Sequence, residues 1–247
     1  MNKLSDLEIA KVAVKNAAAK LKKIEEDEII IASENGKDIK LEADKISENV
    51  IISTLQRFSK YHILSEEGEN FIDYSELNKV WIIDPLDGSL NFSRGIPLYC
   101  ISVALWENGL PKLGVIFDLV RNQMFYGEIG KGAFCEGQAI YPSSINNRAK
   151  AVIATGFPVY RDYDSKALSK FINKIQEYKK VRLFGSAAMS ILFVAQGIID
   201  AYNEENIAIW DVAGALAILT AAGGKYQLKK GKENNLVHVF AANGKLI

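Results

Sequence analysis

Apolar residues recur at spacings of three and four positions near the start of the chain, which predicts an amphipathic helix. They are Leu7, Ala10, Val14, Ala17, Leu21 and Ile24. Ser5, with Glu8 three positions later, forms a capping box that predicts where this helix begins. A second apolar stripe between Ile46 and Phe58 predicts another helix, with Asp44 as its N-cap. The chain is therefore predicted to open with two amphipathic helices.

Short apolar runs separated by turn residues follow between positions 80 and 135, the pattern of an antiparallel meander. Asn108-Gly109 is a strong hairpin signal between two of these runs. Gly130-Lys131-Gly132 predicts a further turn, because it fits neither the dinucleotide-binding motif nor the P-loop motif. The runs are Val80–Ile83, Ile101–Trp106, Leu113–Val120, Met124–Ile129 and Ala133–Cys135.

Beyond about Asn147 the pattern changes to strands that alternate with helices, two of which are almost entirely apolar. The apolar helices are predicted at Ser186–Gln196 and Asp211–Ala222, and their small residues indicate burial on both sides. The pattern therefore predicts a layered α/β protein. Its expected parts are an N-terminal α+β half, residues 1–146, and a C-terminal α/β half, residues 147–247.

Composition and charge narrow the classes of function. The 247 residues are 49% hydrophobic and 24% charged, an ordinary globular profile, and the formal net charge is zero. A neutral chain has no bulk field that favours nucleic acid or an anionic membrane. No apolar run approaches the roughly 20 residues of a membrane span, and the N-terminus does not resemble a signal peptide. We therefore expect a cytoplasmic protein without a nucleic-acid or membrane partner.

The side chains available for catalysis argue against several common mechanisms. Cys100 and Cys135 lie in apolar, strand-like runs and are expected to be free thiols. The two histidines, His62 and His238, leave little material for a histidine-rich zinc site or a Ser-His-Asp triad. Carboxylates remain as the main candidates for catalysis.

Two carboxylates stand just past a predicted strand end in the stretch Asp84-Pro85-Leu86-Asp87-Gly88-Ser89. Pro85 is expected to end strand pairing, because it has no N–H to donate. The backbone N–H groups of Gly88 and Ser89 would face an anion if a helical turn begins there. Oxygen ligands for a hard cation beside donors for a phosphate suit metal-assisted phosphoryl hydrolysis. The same residues are ordinary turn formers, so the stretch alone leaves both interpretations open.

Other blocks of the chain strengthen the catalytic interpretation, because together they resemble the inositol monophosphatase family of the fructose-1,6-bisphosphatase-like superfamily. Glu66-Glu67 resembles the family's acidic pair, although alone it also fits a solvated loop. The stretch Asp84–Phe92 resembles the first signature of the family, and Trp210–Ala215 resembles the second. Gly223-Gly224 falls where the family usually has a glycine pair. The resemblance extends over most of the chain and is closest to archaeal-type members.

The resemblance implies a metal site and a substrate site at the matching positions. By resemblance, the ligands for two or three Mg²⁺ ions are Glu66, Asp84, Asp87, Asp211, the carbonyl of Leu86 and, directly or through water, Glu67. The residues expected to orient and help deprotonate the attacking water are Asp44 and Ser89, with Glu66 as a further catalytic group. The groups expected at the substrate are Gly88, Ser89, Arg182, Ala187, Glu204 and Asp211.

The resemblance also implies the αβαβα fold of this family, as one continuous family domain, and a homodimer. The implied activity is Mg²⁺-dependent hydrolysis of inositol monophosphate, a small phosphorylated polyol, with the sugar phosphate fructose 1,6-bisphosphate as an open second substrate. A 3′-phosphoadenosine-5′-phosphate phosphatase is the alternative enzyme, although Leu90-Asn91-Phe92 departs from those relatives. A non-catalytic, metal-binding regulatory protein on the same fold is the alternative from another class.

Electrostatics gives the metal site a physical basis. If the carboxylates converge, each close pair repels by about 4 kcal/mol at 4 Å with an effective dielectric constant near 20. Several such pairs rival a whole folding stability of roughly 5–15 kcal/mol. A cluster of this kind is therefore tolerable only with cations in it, or with some of the acids protonated.

Overall fold

The structure is a computed structural model that describes residues 4–25, 31–35, 38–68, 73–157, 164–233 and 235–247. The helices are α1 (Asp6–Glu25), α2 (Glu42–Phe58), α3 (Ser89–Ser93), α4 (Ser165–Gln176), α5 (Ala187–Ala195) and α6 (Ile209–Ala221). The first nine strands are β1 (Ile31–Asn35), β2 (Asp38–Leu41), β3 (His62–Ser65), β4 (Lys79–Asp87), β5 (Cys100–Glu107), β6 (Leu110–Asp118), β7 (Gln123–Glu128), β8 (Gly132–Cys135) and β9 (Gln138–Ala139). The last five are β10 (Val152–Thr155), β11 (Lys180–Arg182), β12 (Ala201–Ala208), β13 (Lys225–Lys230) and β14 (Leu236–Ala242).

Strands β1 and β2 form a two-stranded sheet, and the later strands form two large sheets in chain order. Strands β3 to β9 form a seven-stranded sheet in sequential order, in which β3 and β4 are parallel and the later neighbours are antiparallel. Strands β10 to β14 form a five-stranded sheet in the order β11-β10-β12-β14-β13, with β10 parallel to both of its neighbours. The predicted meander is confirmed. A division at positions 146 and 147 would fall between the sheets, and it stays a prediction.

Helices and sheets alternate in five layers, which confirms the αβαβα fold. Helices α1 and α2 share a buried apolar cluster with one face of the seven-stranded sheet. The opposite face of that sheet packs against α5 and α6, which also contact the inner face of the five-stranded sheet. The fifth layer is helix α4, which lies over the outer face of the five-stranded sheet.

The apolar composition of α5 and α6 is explained by their place between the sheets. All nine residues of α5 are buried, as expected for a helix with packed neighbours on every side. In α6, Gly214 lies so close to β6 that a Cβ atom built on Gly114 would be 2.2 Å from the Gly214 carbonyl oxygen. Glycine at both positions therefore lets the backbones of helix and strand approach directly.

Local predictions are mostly confirmed. The Glu8 N–H donates to Ser5 Oγ at 3.2 Å, so the capping box at the start of α1 is present. The Asn108-Gly109 hairpin joins β5 and β6, and Cys100 and Cys135 are free thiols. The N-cap prediction for Asp44 is wrong, because α2 already begins at Glu42 and places Asp44 in its first turn.

None of the helices in the described parts of the chain combines the length and the apolar composition that a membrane crossing requires.

Candidate active site

The first acidic stretch lies at the carboxyl end of β4. Pro85 was expected to end the strand, but β4 continues to Asp87. Asp84 pairs with Ser102 and Asp87 pairs with Cys100, and the register shifts between the two pairs. A proline without an N–H is tolerated at such an irregularity, which also changes the direction of the side chains around it. The prediction of a strand end at Pro85 is therefore wrong by two residues.

A short helix begins immediately after this irregularity. Gly88 has φ 89° and precedes α3, so the helical turn expected at this point is present. A Cβ atom on Gly88 would lie 3.0 Å from the Leu98 carbonyl oxygen. The first N–H groups of a helix have no partner within that helix. The backbone at Gly88 and Ser89 is therefore suited to contact an anion, and its role at the phosphate stays a prediction.

Three acids that are far apart in sequence meet beside the end of β4. Carboxylate oxygens of Glu66, Asp84 and Asp211 lie within 4.8 Å of one another. Glu66 directly follows β3, the parallel neighbour of β4, and its N–H donates to the Ile83 carbonyl at 3.4 Å. Asp211 belongs to the first turn of α6. The convergence that the electrostatic argument assumed is therefore present in the fold.

The acids of this cluster raise one another's pKa. Burial is the main cause that raises the pKa of Asp84 well above its usual value, followed by the charges of Glu66, Asp87 and Asp211. Burial also raises the pKa of Asp211 most strongly, and Glu66, Asp87 and Glu204 add to it. The charged form of this cluster is therefore costly unless positive charge is added.

Asp87 is buried as well, but it meets several hydrogen-bond donors. Its carboxylate accepts hydrogen bonds from the Ser186 hydroxyl, from the Ala188 N–H at 2.8 Å and from the Ala187 N–H at 3.3 Å. These donors form the N-terminus of α5, where Ser186 is the N-cap. Burial raises the pKa of Asp87 to about 6, and the hydrogen bonds from Ser186 and the helix N–H groups act against that rise.

Asp44 and Ser89 are also brought together. The Ser89 Oγ lies 3.0 Å from Asp44 Oδ1 and 2.8 Å from the Leu86 carbonyl oxygen, so its single proton can go to either acceptor. Asp44 is buried in α2, and Ser47 one turn later donates to the Pro85 carbonyl at 2.7 Å. Helix α2 is therefore tied to the irregular part of β4. The expected roles of Asp44, Ser89 and the Leu86 carbonyl stay predictions.

The remaining predicted residues differ in their distance from this cluster. Glu204 is buried, accepts a hydrogen bond from the Tyr202 hydroxyl and contributes to the raised pKa of Asp211. Glu67 follows Glu66 and is half-buried. Arg182 is exposed, and its guanidinium donates to the Val181 carbonyl at 2.9 Å. Within the described residues, the structure gives no contact from Arg182 to the acidic cluster, and its role at the substrate stays a prediction.

Two residues contact site carboxylates in ways that the sequence did not predict. Ser186 was expected to start a helix in a stretch, Gly185–Ala188, that also resembles the family, but no contact with Asp87 was predicted for its hydroxyl. Its position at a helix N-terminus was the available signal, because such positions attract carboxylates. Gly156 packs against Glu204 so closely that a Cβ atom there would lie 2.4 Å from Oε2. Nothing in the sequence around Gly156 indicates this contact.

The donor set fits a hard divalent cation. The three clustered side chains offer only carboxylate oxygens, which Mg²⁺ and Ca²⁺ prefer over nitrogen or sulfur ligands. Two neighbouring hydroxyls, Ser65 Oγ and Ser102 Oγ, are buried without a hydrogen-bond partner among the protein atoms described. A polar, acid-rich site with spare oxygen atoms is what a hydrated cation would occupy.

A five-layer αβαβα fold with an oxygen-only carboxylate cluster at a strand end defines a class of metal-dependent phosphatases. The sequence model of the inositol monophosphatase family matches residues 3–246, and the chain belongs to this family.

Named relatives support the family assignment. The chain is 35% identical over 201 residues to the fructose-1,6-bisphosphatase/inositol-1-monophosphatase of Thermotoga maritima, covering 81% of this chain and 75% of the relative. It is 36% identical over 189 residues to the Nus factor SuhB of Xylella fastidiosa, covering 76% and 68%. The solved structure of an inositol monophosphatase from Anabaena superposes with a TM-score of 0.81 at 31% identity, covering 97% of this chain and 90% of that one.

Proposed function

We propose that the protein is a Mg²⁺-dependent phosphomonoesterase that hydrolyses inositol monophosphate, with fructose 1,6-bisphosphate as a second substrate. The observation that carries this proposal is the convergence of Glu66, Asp84 and Asp211 within 4.8 Å. The hydrogen-bonded pair of Ser89 and Asp44 lies nearby, since the charge of Asp44 also raises the pKa of Asp84. Ligands for a cation and a pair able to handle a proton therefore share one site.

Glu66, Asp84 and Asp211 would hold the first Mg²⁺ ion, and Asp87, the Leu86 carbonyl and Glu67 complete the set for a second or third. When bound, Mg²⁺ supplies positive charge that offsets the carboxylates and lowers the pKa of water. The residues themselves orient the reactants and move the proton. Ser89 would donate a hydrogen bond to Asp44 and accept a hydrogen bond from the attacking water.

The phosphate and polyol ends of the substrate would meet different groups. Backbone N–H groups of Gly88 and Ser89 would contact phosphate oxygens at the start of α3. Glu204, which is buried and accepts a hydrogen bond from the Tyr202 hydroxyl, would also accept a hydrogen bond from a substrate hydroxyl. Such contacts favour a polyhydroxylated body over a flat, apolar one.

The names of the relatives leave the substrate open, because they include inositol monophosphatases, a fructose-1,6-bisphosphatase and Nus factor SuhB proteins. The Ser89–Asp44 pair favours hydrolysis over metal binding alone, since a purely structural cation does not require a proton acceptor beside it.

Phosphate release tests the proposal most directly. The substrates are inositol monophosphate, fructose 1,6-bisphosphate and 3′-phosphoadenosine-5′-phosphate, each with Mg²⁺ and with excess chelator. We expect Mg²⁺-dependent release from the first and a lower rate with the second. Asp87→Asn should lower turnover by about a hundredfold or more while circular dichroism stays unchanged. Fast release from 3′-phosphoadenosine-5′-phosphate alone, or unchanged turnover in Asp87→Asn, would contradict the proposal.

Thermal melting offers a test without a substrate. Millimolar Mg²⁺ should raise the melting temperature, because a cation that binds the folded cluster stabilises only the native state. Na⁺ at equal ionic strength is the control. No shift with Mg²⁺ would argue against the metal site.

We further propose that the protein is a cytoplasmic homodimer. Light scattering checks the homodimer, and a monomer mass would refute it.

A further inference from the structure

A cavity of about 470 Å³ lies between α4 and the outer face of the five-stranded sheet. Its volume falls within the roughly 300–1,000 Å³ of typical ligand pockets. Side chains alternate along β12, so Tyr202 points into the core between the sheets and Asn203 points to the opposite face. Glu204 also lines the cavity at its border with the candidate active site, but the residues that project from the outer face, such as Asn203, are not used in the proposed reaction.

Three strands and one helix build the cavity through their regular side-chain periods. Asn203 pairs with Phe240, which pairs with Gln227, so these residues form one row across the outer face. His238 and Lys229 form the next row. Helix α4 contributes residues spaced by three, four and seven positions, which lie on one helical face. They are Ala167, Lys170, Phe171 and Lys174.

The cavity combines an apolar base with an excess of cationic groups. Phe171 and Phe240 supply the rings, and Lys170, Lys174 and Lys229 supply the positive charge. Two carboxylates oppose these three lysines, namely Glu205 and Glu204, and the second of them accepts a hydrogen bond from the Tyr202 hydroxyl. Basic groups around an apolar surface suit an organic anion better than a metal ion or a neutral molecule.

Lys174 carries the argument furthest. Its ammonium group is half-buried, donates to the Asn203 side-chain oxygen and lies 5.7 Å from the centroid of the Phe240 ring. Burial lowers the pKa of Lys174, while the charge of Glu205 acts in the opposite direction. Both close partners are neutral, so the desolvation of this cation is only partly offset. An anion in the cavity would supply the missing charge.

We propose that this cavity binds a small organic anion that bears a phosphate or phosphonate group on a ring, held by Lys174 and Lys170 above Phe240. The anionic end contacts the ammonium groups, and the ring lies on the apolar base. This binding site is separate from the metal cluster and does not depend on Mg²⁺.

Isothermal titration with phenylphosphonate tests the proposal, because this probe has a ring, a stable dianion and no ester to hydrolyse. The full chain is titrated first with Mg²⁺ and then with excess chelator. With Mg²⁺ we expect two binding events, one at the metal site and one in the cavity. With chelator the carboxylate cluster repels anions, so the cavity event alone should remain.

Variants on α4 assign the second event. Lys174→Met should weaken binding with chelator by about tenfold or more, as expected for the loss of a hydrogen bond from a charged group. Lys166→Met is the matched control, because Lys166 is an exposed lysine of the same helix that does not line the cavity. Glu205→Gln should strengthen binding, because it removes one of the two opposing carboxylates.

Each outcome bears on the proposal separately from the proposed function. Equal effects of Lys174→Met and Lys166→Met, or no binding with chelator by a chain that circular dichroism shows to be folded, would overturn it. If the chain unfolds with chelator, the Mg²⁺ titration decides, and Lys174→Met must then reduce two events to one. A chain without phosphatase activity that still shows Lys174-dependent binding would refute the proposed function but support the cavity site.

Discussion

Asp84 and Asp87 stand three positions apart on one strand, yet the fold gives them opposite surroundings. Asp84 lies among Glu66 and Asp211, and the donor that the structure shows for it is the Leu86 N–H at 3.0 Å. Asp87 instead accepts hydrogen bonds from the hydroxyl and N–H groups at the start of α5. The comparison teaches that one stretch supplies both an acid whose charge is opposed by its neighbours and an acid whose charge is partly stabilised by hydrogen bonds from the protein.

Asp84→Asn should have the largest effect, because it removes the acid whose charge is opposed by its neighbours. Removal of a charged ligand should lower phosphatase turnover by about a hundredfold or more, since even outer partners of metal ligands cost 10–100-fold. The same change should raise the melting temperature of the metal-free protein, because it removes repulsion from Glu66 and Asp211. Phosphate release and thermal melting with chelator check the two parts.

Asp118→Asn provides the control for this substitution. Asp118 is equally buried, but it forms a salt bridge with Arg121 at 2.7 Å and accepts two backbone hydrogen bonds. Its substitution should lower the melting temperature with or without Mg²⁺ and leave turnover unchanged. A metal-free Asp84→Asn protein that melts below the wild type would contradict the repulsion argument.

Ser186→Ala tests the hydrogen bonds to Asp87 and should have an intermediate effect on turnover. Without this hydroxyl, the pKa of Asp87 should rise above its present value of about 6, because Ser186 is the largest contribution that lowers it. We expect turnover to fall by about tenfold at neutral pH, with the acid limb of the rate profile moved to higher pH. Ser186→Thr should restore both. Ser190→Ala, which removes a hydroxyl from the same helix, should leave the pH of the acid limb of the rate profile unchanged.

The pH dependence of stability should show the smallest effect. Burial raises the pKa of Asp87 to about 6 and the pKa values of Asp84 and Asp211 well above their usual range. The folded chain therefore binds protons more tightly than the unfolded chain. The resulting stability is fully present below the unfolded pKa of about 4 and is lost as pH rises through about 6 and beyond.

Thermal melting with chelator should therefore show a melting temperature that falls by several degrees from about pH 5 to about pH 8. With Mg²⁺ the same curve should be flatter, since the cation replaces the protons. A metal-free chain that becomes more stable over this interval would contradict the pKa assignments.

The sequence predicted the elements of this site better than its geometry. The apolar run before Asp84 and the glycine at position 88 located the strand and the turn that follows it, because both signals are local. The meeting of Glu66 with Asp211 required the family resemblance, since no local pattern relates residues so far apart. The contact of Ser186 with Asp87 and the passage of β4 through Pro85 depend on tertiary packing, which periodicity does not encode.

The close approach of Gly114 to the Gly214 carbonyl brings helix α6, which carries Asp211, directly onto the seven-stranded sheet. Gly214 lies three residues after Asp211 in the same helix, and Gly114 lies in β6, whose neighbour β5 pairs with the strand that carries Asp84. Any side chain inserted between them would act as a wedge and lift α6, together with its carboxylate, away from the strand. These two buried glycines therefore offer a way to tune the selectivity of the site for cations of different radius without changing a single ligand.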